Sequence, residues 1–284
     1  MRPADFAGTW YPESGSACRK IIREFEKNLP SREPIPGSGV IAPHAGWLYS
    51  GRTAWSAFAP LASPRIERVI IFGGHLTMRD RATLLRCDAW NNPVRPMEID
   101  REGIERIAGL HDFAEETDRR YRRDNGIELV LGFAAAAWPN ARLIAIGMPP
   151  TRLAVSLGME IGRAFSHAKE KTVFVGSTDL THYGPGYGFT PAGIGTSSLA
   201  WAKENDNRFI KAITSGEEGD ALNSAQEHAN ACCPGAAEAV RSACSAACGS
   251  RPEVDITHVT NSHEIAGGIP SDFVGYAGII FRRP

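Results

Sequence analysis

The sequence predicts an α/β protein, in which helices flank a central and mostly buried sheet, because short apolar runs alternate with amphipathic segments along the chain. Between the runs, apolar residues recur three or four positions apart, which is the spacing of one helix face. Four runs are apolar almost throughout, as strands buried on both faces of a sheet are: residues 40–41, 69–72, 143–147 and 173–176.

The first half of the chain adds four helices and a short strand to these runs. The first helix follows from the apolar positions Ile21, Ile22, Phe25 and Leu29, which have charged residues between them. Pro43 has no N–H to give to a sheet, so the strand at 40–41 is expected to end before it. The predicted elements are helices from about residue 16 and over 51–58, 104–108 and 127–138, and a strand at 84–87.

The second half continues the same alternation. Leu153, Leu157, Ile161 and Phe165 recur every four residues and indicate a helix. Pro234 precedes a run of small, helix-favouring residues. No internal repeat or low-complexity linker interrupts the chain, so we expect one domain spanning residues 1–284. The predicted elements are helices at 153–165, 201–213 and 236–247 and strands at 254–259 and 273–281.

Composition limits the classes of function. The 284 residues are 43% hydrophobic, and the net charge of -1 gives no reason to expect nucleic acid or an anionic membrane as partner. No apolar stretch approaches the ~20 residues of a membrane span, and the N-terminus lacks the apolar core of a signal peptide, so a cytoplasmic protein is expected. The six cysteines are not spaced as two zinc-finger pairs, which favours a reducing compartment over a disulfide framework.

Polar side chains follow three of the four apolar strands at the point where each strand ends. His44 follows the first strand, His75 the second, and Asp179 and His182 the fourth. Ligands bind outside the carboxyl ends of strands in open α/β sheets, so we expect these side chains to lie together. Each alone fits a turn or core residue, but their repeated placement at strand ends favours a metal or catalytic site.

Cys232 and Cys233 are further candidates, because they come just before a predicted helix. The backbone N–H groups and the dipole at a helix N-terminus favour a thiolate. A cysteine here suits a metal ligand or a nucleophile, and the residues leave open which of the two acts and whether either is an ordinary core cysteine. His228, His258 and His263 follow no comparable strand end and are interpreted as structural.

At these positions the sequence resembles the Memo family, which includes the microbial AmmeMemoRadiSam system protein B. The resemblance spans nearly the whole chain. The resemblance is specific because several motifs occur together. Any one motif alone would not identify the family. They cover residues 7–12, 42–46, 73–75, 177–179 with His182, 230–232 and 274–277.

The resemblance implies a fold like that of the class III extradiol dioxygenases, with a metal site of two histidines and one cysteine. By motif position the ligands are His44, His75 and Cys232, while Asp179 and His182 orient ligands or move protons. The dioxygenases have a carboxylate in place of the thiolate. The dioxygenase resemblance implies iron, whereas a thiolate ligand favours softer metals such as copper or zinc. The expected ion is therefore iron or copper, with zinc as an alternative.

The chain departs from the family pattern at three places. Residues 124–128 read Asp-Asn-Gly-Ile-Glu where family members usually have Glu-His-Ser-Ile-Glu. Cys233 stands where a glycine is usual, which leaves the choice between Cys232 and Cys233 open. Residues 73–75 read Gly-Gly-His and shorten the usual Gly-Pro-Asn-His.

Three functions are consistent with this pattern. The favoured one is a Memo-like metal-binding protein whose two-histidine, one-cysteine site resembles that of the non-haem iron dioxygenases, with oxidoreductase chemistry on an unknown small-molecule substrate as its possible activity. One alternative is a non-catalytic metal or redox protein that acts through a protein partner. The other is a thiol enzyme that uses Cys232 with His44 or His182.

Overall fold

The computed structural model describes residues 1–27, 29, 37–166, 171–268 and 270–282, and within them the chain forms eleven β-strands and nine α-helices. The strands are β1 (Gly37–Ala42), β2 (Arg68–Gly73), β3 (Thr83–Leu85), β4 (Ala89–Trp90), β5 (Met97–Glu98), β6 (Ala114–Glu116), β7 (Arg142–Gly147), β8 (Thr172–Ser177), β9 (His182–Tyr183), β10 (Glu253–Asn261) and β11 (Phe273–Arg282). The helices are α1 (Gly15–Lys27), α2 (Trp47–Phe58), α3 (Arg101–Ala108), α4 (Asn125–Ala137), α5 (Leu153–Ser166), α6 (Thr196–Ser215), α7 (Asp220–His228), α8 (Pro234–Cys248) and α9 (Ser262–Ala266).

Most of the strands join one sheet in the order β10–β11–β1–β8–β2–β7–β3–β6, and β9 pairs with the start of β11. At the centre, β1, β8, β2 and β7 run parallel to one another. β2 and β8 are buried along their whole length, as their apolar sequences require. The carboxyl ends of the four strands therefore meet at one edge. The predicted α/β class, with a central sheet flanked by helices, is confirmed.

Helix α8 lies across one face of the central strands, and glycines allow its close approach. A Cβ on Gly39 would lie 2.7 Å from Sγ of Cys244, and one on Gly176 would lie 2.8 Å from the carbonyl of Ala236. Those separations are too short for a real side chain, so only glycine fits where β1 and β8 meet α8. Because α8 begins at Pro234, its N-terminus lies beside the edge where the parallel strands end.

Helix α4 packs on the opposite face of the sheet. Phe72 in β2 pairs with Gly176, so the next residue, Gly73, faces away from α8. A Cβ on Gly73 would lie 2.5 Å from Cγ1 of Ile127 in α4. The first turn of α4 therefore lies beside the end of β2, where His75 follows.

An N-terminal arm, residues 6–12, crosses the carboxyl edge of the sheet and explains why α2 begins early. The N–H of Phe6 and the hydroxyl of Tyr11 donate to Oε1 of Glu128, at 2.8 and 2.9 Å. The N–H of Trp47 donates to the carbonyl of Trp10 at 2.9 Å, so the arm satisfies a group at the start of α2. The helix consequently begins at Trp47, and the prediction that it begins near residue 51 is wrong.

Other predicted boundaries are also corrected. α6 begins at Thr196 rather than near residue 201, because Ser198 turns inward and its hydroxyl donates to the carbonyl of Gly195. The strand predicted at 84–87 ends at Leu85. The sequence does not predict α7, α9, β4, β5, β6 or β9. Among the described residues, the helices include none that is both long and apolar enough to cross a membrane.

Candidate metal centre

Two histidines and two cysteines lie together where the central strands end, and we call them the histidine–cysteine cluster. His44 follows β1, His75 follows β2, and Cys232 and Cys233 come directly before α8. With one ligand atom taken from each side chain, the four atoms all lie within 4.8 Å of one another. β8 separates β1 from β2 and continues into Asp179, which therefore lies between the two histidine positions.

His44 is fixed on one side and presents its other ring nitrogen to the cluster. Its backbone N–H donates to Oδ1 of Asp179 at 2.8 Å, and its Nδ1 lies 2.9 Å from Oγ of Ser177. Its Nε2 lies 3.2 Å from Nε2 of His75 and 3.3 Å from Sγ of Cys232. Only 1% of His44 is exposed, so the ring has little freedom to turn away.

His75 is held by Asp124 at the start of α4. One oxygen of Asp124, Oδ2, lies 3.0 Å from both the backbone N–H and the Nδ1 of His75. The other oxygen accepts the N–H of Gly126 at 2.7 Å and caps α4. The helix thus fixes the carboxylate that orients the imidazole, and Nε2 of His75 is left facing His44.

Cys232 is held as a thiolate by its surroundings. Its Sγ accepts the backbone N–H of Asp179 at 3.2 Å. Burial opposes ionisation, but the hydrogen bond from Cys233 and the charge of His44 hold the pKa of Cys232 well below its usual range. The sulfur is therefore available as a ligand or a nucleophile.

Cys233 keeps its proton in the absence of a metal. Its N–H donates to Oγ1 of Thr178 at 3.0 Å, and its Sγ lies 3.5 Å from the carbonyl oxygen of Gly74. The hydrogen bond to Cys232, together with burial, raises the pKa of Cys233 well above its usual range. The negative charge of the pair consequently resides on Cys232.

The surroundings of the two imidazoles raise the pKa of each ring. Burial opposes the charge of His44, but the neighbouring Cys232 and Asp179 raise the pKa of its ring. For His75, burial is outweighed by hydrogen bonds with Asp124 and Cys232, which raise the pKa to about 10. Burial also opposes ionisation of Asp124, yet its hydrogen bond with His75 lowers that pKa to about 2. A metal ion bound here would displace protons from the rings.

The donor atoms fit a transition-metal ion. With ordinary bond lengths, neighbouring ligand atoms of a tetrahedral site lie roughly 3.3–3.8 Å apart. The two Nε2 atoms are 3.2 Å apart, and Nε2 of His44 is 3.3 Å from Sγ of Cys232. Each histidine also has the outer partner that ligating imidazoles usually have, Ser177 for His44 and Asp124 for His75. Imidazole and thiolate together suit copper, zinc or iron rather than magnesium or calcium.

A cleft of about 760 Å³ opens beside the cluster, which is a usual size for a small-molecule site. His44, His75, Asp179 and His182 are among the residues that line it. Cys232 and Cys233 are not among them. The two histidines therefore border the cleft directly.

Large apolar side chains border the same cleft. They are Trp10 from the N-terminal arm, Leu48 and Tyr49 from the first turn of α2, and Tyr187. All four are exposed, and the ring of Tyr187 meets that of His182 edge-on, with centroids 5.0 Å apart. This border can cover an apolar part of a bound molecule.

The structure brings together the residues that the sequence singles out. His44, His75 and Cys232 belong to the cluster, Asp179 contacts both His44 and Cys232, and His182 lies farther out in the cleft. Their roles as ligands or proton carriers stay predictions. The sequence leaves open whether Cys232 or Cys233 belongs to the site. The structure places both sulfur atoms in the cluster.

Three residues of the site are missed by sequence reasoning: Asp124, Ser177 and His263. The start of α4, Asp-Asn-Gly, is typical of a helix N-cap and could have marked Asp124. Nothing local shows that its second oxygen reaches His75, which is 49 residues away in the sequence. His263 follows no apolar strand of the parallel group, yet it lines the cleft.

The sheet order and the cluster together define an α/β protein with a histidine–cysteine group at the carboxyl edge of its parallel strands. The model of the Memo-like protein family matches residues 2–280. The chain therefore belongs to the Memo family, and the resemblance noted in its sequence is confirmed.

Similar proteins occur in archaea and in an animal. A MEMO1 family protein of Methanococcoides burtonii is 33% identical over 218 residues, 75% of each chain. A MEMO1 family protein of Methanosarcina barkeri is 29% identical over 284 residues, which cover 99% of each chain. The protein memo-1 homolog of Caenorhabditis elegans is also 29% identical, over 67% of this chain and 55% of the homolog. Among solved structures, an uncharacterized protein of Escherichia coli K12 has a TM-score of 0.48 at 11% identity, covering 84% of this chain and 99% of that one. That likeness is too remote to bear on function.

Proposed function

We propose that this protein binds one transition-metal ion through His44, His75 and Cys232 and acts as an oxidoreductase on a small molecule held in the adjoining cleft. Copper is the ion we favour, with iron and zinc as alternatives. The observation that carries the proposal is the convergence of three ligand atoms: the two Nε2 atoms are 3.2 Å apart, and the Cys232 sulfur is 3.3 Å from one of them. A thiolate with two imidazoles is a donor set that suits copper.

In this proposal the histidines bind through Nε2, while Ser177 and Asp124 hold the opposite ring nitrogens of His44 and His75. The bound metal supplies Lewis acidity and, in the case of copper or iron, one-electron redox chemistry. Because both imidazoles line the cleft, a molecule held there lies beside the ligands.

Two further residues of the cleft are assigned as proton carriers. Burial, aided by the charge of Cys232, raises the pKa of Asp179, so this carboxyl retains a proton at a higher pH than usual. His182 has Nδ1 3.1 Å from the carbonyl oxygen of Leu180, which leaves Nε2 for a bound molecule. Both groups can give or take a proton at a substrate in the cleft.

A thiol enzyme is the second candidate, favoured by the low pKa of Cys232 and the backbone N–H that its sulfur accepts. A nucleophile has to reach its substrate, however, and Cys232 is not among the residues that line the cleft. The metal site is therefore better supported. If metal-loaded protein were alkylated at Cys232 as fast as metal-free protein, the thiol enzyme would be preferred.

The test of the metal site uses reduced, metal-free protein mixed separately with Cu⁺, Zn²⁺ and Fe²⁺ and then desalted. We expect one copper ion to be retained per chain and the melting temperature to rise, since an ion that binds only the folded state stabilises it. Oxygen uptake by the loaded protein with a panel of catechols tests the redox activity. If none of the three ions is retained, the proposal fails; retention without turnover would favour a metal protein that acts through a partner.

Asp124→Asn is expected to weaken the metal affinity by roughly 10- to 100-fold, because the variant lacks the negative charge that orients His75. Asparagine still caps α4, so the metal-free protein should stay folded, although loss of the charged hydrogen bond to His75 lowers its free energy of unfolding by roughly 1.5–3 kcal/mol. Competition with a chelator measures the affinity, and urea unfolding measures the stability. Asp112→Asn, at an exposed carboxylate, is the matched control for charge. Equal affinity in the two variants would contradict the role of Asp124.

A further inference from the structure

We propose that Cys233 is a fourth ligand of the same metal ion, so that the protein surrounds the ion with two imidazoles and two thiolates. The inference rests on the function proposed above and extends its ligand set. A second thiolate is what separates this inference from the three-ligand site proposed above.

The first support is position. Side chains of adjacent residues in an extended segment point to opposite sides. At Cys233 the chain instead turns into α8, with φ of −131° and ψ of 59°, and both sulfur atoms come within 4.8 Å of the ligand nitrogens of His44 and His75. Ligand atoms of a tetrahedral site lie roughly 3.3–3.8 Å apart, so a shift of about 1 Å brings Cys233 into a common coordination sphere.

The second support is that Cys233 differs from the ordinary core cysteines of this chain. Cys18 and Cys244 are equally buried, but within the described part of the chain neither belongs to a group of converging ligand atoms. The Cys233 sulfur makes a long contact of 3.5 Å with the carbonyl oxygen of Gly74. A bound metal ion deprotonates a coordinating thiol outright, so the contacts that keep the proton on Cys233 in the metal-free protein are replaced by a bond to the ion.

The third support is charge. His44 and Cys233 are 1% and 3% exposed, and a charge buried to this extent needs a compensating charge. With one thiolate, a divalent ion keeps a net positive charge within its own ligand set, and the nearest balancing charge is Asp124 behind His75. With two thiolates, the charge of the divalent ion is neutralised.

The fourth ligand changes what the site can do. Two histidines and two cysteines are the donor set of closed, four-coordinate zinc sites, and the thiolates also suit Cu⁺. This set favours Zn²⁺ and Cu⁺ over Fe²⁺. It also means that a molecule in the cleft reaches the ion only after one protein ligand has left.

The test counts thiolates on the bound metal. Reduced wild-type protein, Cys233→Ala and the control Cys87→Ala are each loaded with Co²⁺, and the sulfur-to-cobalt charge-transfer absorbance is divided by the cobalt retained. Because the absorbance scales with the number of thiolates, we expect Cys233→Ala to show about half the wild-type value and Cys87→Ala to show all of it. We also expect Cys233→Ala to bind Zn²⁺ more than roughly tenfold more weakly.

X-ray absorption of the zinc-loaded wild-type protein is a second measurement that needs no variant. Two sulfur and two nitrogen neighbours support the proposal; one sulfur neighbour overturns it. Unchanged cobalt absorbance in Cys233→Ala would overturn it as well, while the three-ligand site would stand. If wild-type protein retains neither Co²⁺ nor Zn²⁺ nor Cu⁺, the proposed function itself fails, which is a distinguishable result.

Discussion

Replacing Cys232 with serine is expected to weaken the affinity for Cu⁺ or Zn²⁺ by at least about 100-fold, which exceeds the usual effect of losing an outer hydrogen-bond partner. Serine has nearly the same shape, but its hydroxyl stays protonated and is a poor ligand for soft ions. The sulfur it replaces lies 3.3 Å from Nε2 of His44 and accepts the N–H of Asp179 at 3.2 Å. Chelator competition under reducing conditions measures the change.

Cys87→Ser is the matched control for this variant. The Cys87 sulfur is partly buried and lies 3.3 Å from the carbonyl oxygen of Ala89, so the same atoms are exchanged at a cysteine outside the cluster. Its metal affinity should match that of the wild-type protein. If Cys232→Ser and Cys87→Ser bind copper equally well, Cys232 is not a ligand and the proposed site is wrong.

The part of the site that lies at strand ends could be predicted because it follows from topology. Continuous apolar runs predict parallel strands, and parallel strands bring their carboxyl ends to one edge. His44, His75 and Asp179 come directly after such runs. Their placement at one edge of the sheet could therefore be predicted without the strand order. The order itself, with β8 between β1 and β2, could not be read from the sequence.

The partners that orient the ligands depend on long-range packing and were not predictable. Asp124 reaches His75 only because α4 packs under the end of β2, where Gly73 leaves room for Ile127. The early start of α2 depends on the carbonyl of Trp10, 37 residues before Trp47. Local periodicity contains no information about either contact.

The Memo-family resemblance pointed to Cys232 by motif position, but the sequence left the choice between Cys232 and Cys233 open. The structure adds that two sulfur atoms, rather than one, lie among the ligand atoms. That convergence depends on how the chain turns into α8 at Cys233, which local sequence patterns do not specify.

Asp206→Asn is expected to remove a large pH dependence from the stability of the protein. Asp206 lies on α6, is 5% exposed, and its Oδ1 accepts the N–H of Thr181 at 2.9 Å. Burial raises the pKa of Asp206 from 3.8 to about 7, although the hydrogen bond from Thr181 opposes the shift. Between these two pH values the folded protein retains a proton that the unfolded chain has lost.

Stability contributed by the neutral Asp206 carboxyl is therefore fully present below about pH 4 and is lost as the pH rises through about 7. A shift of this size corresponds to about 4 kcal/mol in total, of which roughly 2–3 kcal/mol is lost between pH 5 and pH 8. Asparagine is neutral at every pH. The difference in unfolding free energy, wild type minus Asp206→Asn, should therefore fall by roughly 2–3 kcal/mol between pH 5 and pH 8. Urea unfolding of metal-free protein measures it at each pH, and the constant cost of the substitution cancels. A difference that stays flat, or that grows as the pH rises, would show that Asp206 is ionised in the folded protein well below neutral pH.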